Sequence, residues 1–175
     1  MARRSILTTL KAEHDALREL FARIDETTDR AEKTRAELLM KIEQNLIPHA
    51  KWEESVFYPA FRERADRDGR KTYAEAMLEH AAVEKTVLPA VKAAATASEE
   101  FAGRAKVFGE LIDHHAREEE TTMFRMAREL FSAEELADFD EAYAAWKESP
   151  AAAMALGMEG AKSGLRAVAA KVGGP

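Results

Sequence analysis

The sequence predicts an all-α fold: an antiparallel up-down four-helix bundle followed by a short additional C-terminal helix. Three observations predict it. Ala, Leu, Glu, Lys and Arg dominate the 175 residues while Val, Ile, Thr and Tyr are sparse, which is a helix-forming composition. Apolar residues recur at three- and four-residue steps along four long segments joined by short connections, the mark of antiparallel neighbours. The chain also writes one phrase twice, His49-Ala-Lys-Trp-Glu53-Glu54 and His115-Ala-Arg-Glu-Glu119-Glu120. Each copy follows a Glu-His pair, Glu13-His14 or Glu79-His80, and His14 to His49 and His80 to His115 both span 35 residues. All five members of the first set reappear at an offset of 66, as expected for a duplicated helical hairpin packed about an approximate two-fold axis.

The first helix is predicted from about Ile6 to Thr27, with Leu10, Leu17, Phe21 and Ile24 on one stripe and His14 inside it. A polar linker from Thr28 to Lys33 follows, and Thr34 with Glu37 reads as a capping box opening the second helix. That helix presents Leu38, Ile42, Leu46, His49, Glu53, Val56 and Ala60 on one face. Pro48 inside it predicts a kink that aims His49, and Pro59 a bend or end near Phe61. Arg64 to Lys71 reads as a charged loop turning at Gly69, before a second capping box of Thr72 and Glu75. The third helix carries Tyr73, Met77, His80, Glu84, Val87 and Val91. Ser98 opens the fourth, whose stripe runs Phe101, Ala105, Phe108, Ile112, His115, Glu119, Thr122 and Met126. Ser132 and Glu135 cap a short helix bearing Leu136, Phe139, Tyr143 and Trp146. Residues 1–147 are thus expected to form one domain, and 148–175 an Ala/Gly-rich tail with at most a weak helix from Met154 to Val172.

The formal net charge is −6 and the basic residues are dispersed, so nothing points to nucleic acid. No stretch approaches a membrane span, and Arg3-Arg4 precedes a segment too short and polar for a signal peptide. The absence of Cys excludes disulfides, thiolate zinc and iron–sulfur ligation, and fits the cytoplasm. A monomer or weak homodimer is expected.

Four of the five His and two Glu fall on inward stripes of four different helices. Glu53 and Glu119 each lie one turn after a His, so each pair faces one spot. A buried carboxylate needs a cation, a proton or a donor, and a metal pair held by His14, His49, Glu53, His80, His115 and Glu119 satisfies the set. The alternative is a polar layer that fixes the register of an apolar bundle. Four imidazoles and two carboxylates with open positions suit non-haem iron, with manganese equally compatible in ligand type. His114 points about 100° off the stripe and reads as a surface group or a residue supporting the ligands from behind, not as a ligand. Glu84, one turn after His80, is either a seventh ligand or an ion-pair partner at the bundle edge; its counterpart in the repeat is Arg18. Glu54 and Glu120 are solvated or orient the His rings, and Tyr58 and Tyr73 lie within possible reach, with Tyr73 assigned to core packing.

The pattern His14, His49-x-x-x-Glu53-Glu54, Phe57-Tyr58-Pro59, Glu79-His80 and His115-x-x-x-Glu119-Glu120 resembles the hemerythrin-like HHE cation-binding proteins over roughly residues 6 to 130. The resemblance implies a four-helix bundle holding two non-haem iron ions (Fe2+/Fe3+) with bridging oxo or hydroxo, on the six ligands named. It departs from the O2-carrying members: His80 is followed by Glu84 where they have a second His, and His115 by Glu119 where they have a His-x-x-x-x-Asp. A carboxylate in place of an imidazole favours ferric iron and disfavours reversible O2 binding. The resemblance therefore implies handling of H2O2 (catalase-like) or NO, as an oxidoreductase. Binding, sensing or storage of O2 or iron without turnover is the alternative.

Overall fold

The first helix, α1 (Ile6–Asp25), begins where Ser5 leaves the helical conformation and its hydroxyl accepts from the Leu7 N–H. This computed structural model describes residues 3–157, which are all-helical with no strand among them. α2 (Glu32–Trp52) starts two residues before the predicted capping box, from Ala31 and without a side-chain cap. Near this start the buried guanidinium of Arg35 donates to Thr27 Oγ1 at 2.7 Å, Asp29 Oδ1 at 3.1 Å and the Thr96 carbonyl at 2.9 Å, and ties both loops at this end of the molecule.

α2 runs on through Pro48 and a π-helical turn, Glu53–Phe57, into α3 (Tyr58–Arg64). The predicted loop from Arg64 to Lys71 is shorter than expected. Asp66 caps α4 (Arg67–Ala82) by accepting from the Gly69 N–H at 2.9 Å, which outcompetes Thr72 as the start signal. Gly69 thus sits in the first turn of a helix, where a Cβ would meet that of Ala65 at 2.7 Å; it permits close approach. A second π turn, Val83–Val87, joins α4 to α5 (Leu88–Ala93). Ser98 opens α6 (Glu99–Glu118), and a third π turn, Glu119–Met123, leads into α7 (Phe124–Leu130). The Ser132/Glu135 capping box starts α8 (Ala133–Lys147) as predicted.

α1 packs against α2, α6 and α8, while α5 lies on α6 and α3 on α4 and α7. Residues 150–157 are again helical and bury Ala152; the rest of the predicted weak helix lies outside the described residues. The apolar interior has two parts. One gathers Leu10, Trp52, Phe57, Phe61, Phe131 and Tyr143; the other gathers Leu17, Phe21, Leu38, Ile42, Phe108 and Ile112. A polar layer separates them, crossed by α1 between Leu10 and Leu17 and by α6 beyond Ile112. Among the described residues, no helix is long and apolar enough to cross a membrane.

Candidate metal centre

The layer consists of the repeated residues. His14, His49, Glu53, His80, His115 and Glu119 are all buried. Their rings turn Nε2 inward: His14 and His49 approach to 3.2 Å, His80 and His115 to 3.0 Å. Glu53 lies between the two pairs, 3.1 Å from His49 Nε2 and 3.7 Å from His80 Nε2. Glu119 does the same from the opposite side, 3.3 Å from His14 Nε2 and 3.7 Å from His115 Nε2. His14, His49, Glu53 and Glu119 bring ligand atoms within 4.8 Å of one another, and so do Glu53, His80 and His115.

What turns each ring is a second carboxylate from another helix. Nδ1–H donates to Glu120 in His14 (3.1 Å), Glu13 in His49 (2.8 Å), Glu54 in His80 (3.1 Å) and Glu79 in His115 (2.7 Å). An ionised carboxylate can only accept, so every Nδ1 carries a hydrogen, and Nε2 is the nitrogen that faces the centre and can give up its proton to a metal. Glu54 and Glu120 therefore take the orienting option of the two foreseen. Glu13 and Glu79, which sequence reasoning placed in the repeat without a role, orient His49 and His115. Their signal was available: each lies in the 66-residue repeat beside a His.

Three oxygens in the layer, Glu53 Oε1, Glu53 Oε2 and Glu119 Oε2, have no hydrogen-bond partner. Ring nitrogens are near them, but not in hydrogen-bonding geometry. Orphaned buried carboxylate oxygens cost several kcal/mol each unless a cation meets them. Imidazole nitrogens and carboxylate oxygens converging in one buried layer are the donor set of an N/O-ligated transition metal, so the residues fit metal cations.

Without metal the layer holds protons. Burial alone would lower the His49 pKa, but the charge of Glu53 and the hydrogen bond to Glu13 outweigh it and raise it to about 10. His115 is raised in the same way, by Glu119 and Glu79 against its burial. Glu119, despite a burial that acts to raise it, is held well below the usual carboxylate range by His115, His14 and His49. Metal uptake must displace such protons.

One buried difference between the two halves touches the layer. Tyr58 Oη donates to Glu119 Oε1 at 2.8 Å and lies 3.3 Å and 3.4 Å from His80 and His115 Nε2. Its counterpart in the repeat is Phe124, stacked near His14. Burial and the charges of Glu119 and Glu53 keep the phenol protonated. Tyr58→Phe is expected to leave a fourth orphaned oxygen and to cost the metal-free protein about 1–3 kcal/mol, read from urea denaturation. A second difference lies outside. Glu13 also accepts from Tyr143 (2.7 Å) and Lys147 (2.8 Å) of α8, whereas Glu79 faces exposed His114 at 3.6 Å. Tyr73 packs edge-on against Tyr58. Glu84 falls in neither ligand group: its Oε2 accepts from Lys51 at 2.8 Å, nearer the surface.

The hemerythrin HHE cation-binding domain model matches residues 5–127, about two-thirds of the chain and every residue of the layer. The chain belongs to that family. Among solved structures, a hemerythrin HHE cation-binding domain-containing protein from Mycobacterium kansasii superposes with a TM-score of 0.70, covering 89% of both chains at 23% identity, which speaks to the fold alone. A DNA nickase from Nostoc sp. is 27% identical over 132 residues, 75% of this chain; the chain spans only 36% of that relative's length. Within this HHE-family chain, His114 is exposed on α6 beside Glu118 and Glu79, outside the ligand groups of the layer.

Proposed function

We propose that this HHE-family chain is a non-haem di-iron protein that handles a small uncharged oxidant or radical, with H2O2 (catalase-like) or NO foremost. One observation carries the reading. An apolar cavity of about 120 Å³ opens onto all four layer histidines, walled by Leu17, Leu46, Ile47, Leu88, Ile112 and Ala116. Such walls offer a diffusing molecule few polar contacts, which suits a ligand of a few atoms without charge.

On this reading, residues 1–147 form a four-helix bundle plus α8 in a cytoplasmic protein, and the six layer residues hold the metals. Bound iron would supply Lewis acidity and exchange between Fe2+ and Fe3+. The chain supplies the rest. Glu13, Glu54, Glu79 and Glu120 keep the four rings aimed and their Nδ1 protons occupied. The cavity walls exclude bulk water, and Tyr58 keeps a proton 2.8 Å from Glu119, on one half of the centre only. Glu84 is proposed at the cavity mouth and outside the ligand set, supported by its bond to Lys51. A second reading, reversible binding or storage without turnover, rests on the same donor set.

The test is anaerobic loading with Fe(II), metal analysis, then addition of H2O2 or O2. Turnover converts two H2O2 into two H2O and one O2, so sustained O2 release supports the enzyme. An absorption change on O2 that reverses on degassing supports the binder, and failure to take up iron or manganese sinks both.

A further inference from the structure

The mouth of the cavity is charged although its walls are not. Lys51, Glu54, Glu79 and Glu84 line it and are each a fifth to a third exposed, while the histidines behind them are buried. Three carboxylates thus stand against one ammonium. Lys51 Nζ reaches Glu54 Oε2 and Glu84 Oε2, both at 2.8 Å, spanning from α2 to the π turn after α4. Glu54 and Glu79 are committed to the rings of His80 and His115, so they cannot swing away without releasing them. Glu84 is joined to Lys51 across the mouth.

The opposite pole of the repeat shows what the same frame does with the other sign. The counterpart of Glu84 is Arg18, which donates to Asp113 (2.7 Å), Asp15 (2.8 Å) and Glu120 (2.9 Å). There a guanidinium is pinned by three carboxylates. At the cavity the corresponding position is a carboxylate, and the surplus at the mouth is negative.

We infer that this rim is an anion filter and that Glu84 is its specificity-determining residue: the mouth admits neutral molecules such as NO or H2O2 and slows anions on their way to the centre. The inference rests on the metal reading above and deepens it. Loaded with two cations of charge two or three, and with Glu53 and Glu119 as the inward carboxylates among the described residues, the centre itself attracts anions. The rim opposes that attraction along the one-sided approach through low-dielectric walls, where charge acts strongly. Lys51 tempers the rim without reversing its sign.

The test uses the iron-loaded full chain and stopped-flow absorbance, with azide as the anionic probe and NO as the neutral one. Metal content of every variant is measured first. Glu84→Gln is expected to speed azide association severalfold, and Glu84→Lys on the order of tenfold. Both gains should shrink as ionic strength rises, and NO association should change less than twofold. Leu111→Glu, which adds a carboxylate at a mouth position already exposed, is expected to slow azide and spare NO. Equal acceleration of both probes would overturn the filter in favour of a steric gate, and no change in azide would overturn it outright. Loss of a metal equivalent in Glu84→Gln would also overturn it, by making Glu84 a ligand. A wild type that takes up no metal fails the underlying reading instead, which is a separate result.

Discussion

Glu53→Gln combined with Glu119→Gln is expected to abolish metal uptake. Each carboxylate stands between the two His pairs, so neither half of the centre escapes, and together they supply all three orphaned oxygens. A neutral amide fills the same space but brings no charge to balance a cation and turns an N–H2 toward the imidazoles. Metal analysis should fall to background, whereas each single variant should retain part of it. Melting gives an independent reading. At a free metal concentration one hundred times the Kd, the wild type gains about 2.7 kcal/mol, and the double variant should gain nothing. Unchanged metal content in the double variant would defeat the metal assignment.

Trp52→Ala should cost about 3–5 kcal/mol, roughly a fifth or more of the stability of an ordinary domain. Trp52 is 1% exposed, immediately before Glu53 in the chain. Its ring lies parallel to Phe57 at 6.4 Å, tilted on Tyr143 at 4.8 Å and edge-on to Phe139 at 6.3 Å. Truncation empties the joint where α8 meets the rest of the molecule, and Tyr143 is also a donor to Glu13, which aims His49. The loss should therefore appear in urea denaturation and again as weaker metal binding. A cost below about 1 kcal/mol would mean that the neighbouring rings close over the gap, contrary to the packing described.

The inward stripes up to Glu53 and Glu119 were legible because an α-helix advances about 100° per residue, and the sequence repeats apolar residues at that step. Beyond them the same arithmetic fails. Continuing it places Val56 and Ala60, and then Thr122 and Met126, on the inner face. The structure instead buries Phe57, Tyr58 and Phe61, and Met123, Phe124 and Ala127. Each π turn inserts one residue into the helical repeat, so the inner face moves from Glu53 to Tyr58 and from Glu119 to Phe124, five positions on. No local composition announces such a turn. The turn at Val83 similarly separates Glu84 from the His80 stripe. Helix starts at Ala31 and Asp66 were missed for a different reason. Thr34 and Thr72 match a capping pattern, but α2 already begins from Ala31 without a side-chain cap, and the closer cap at Asp66 decides the start of α4. The orienting carboxylates required knowing which helix faces which.

The π turns also carry a history. Those at Glu53 and Glu119 begin 66 residues apart, the offset of the repeat itself. If the hairpin was doubled, the inserted residue was already present in the ancestral single hairpin, and two such hairpins could have met as a symmetric pair. The turn at Val83 has no such twin: its counterpart, residues 17–21, lies in the unbroken α1. It sits beside Glu84, at the position where the two copies have parted in charge.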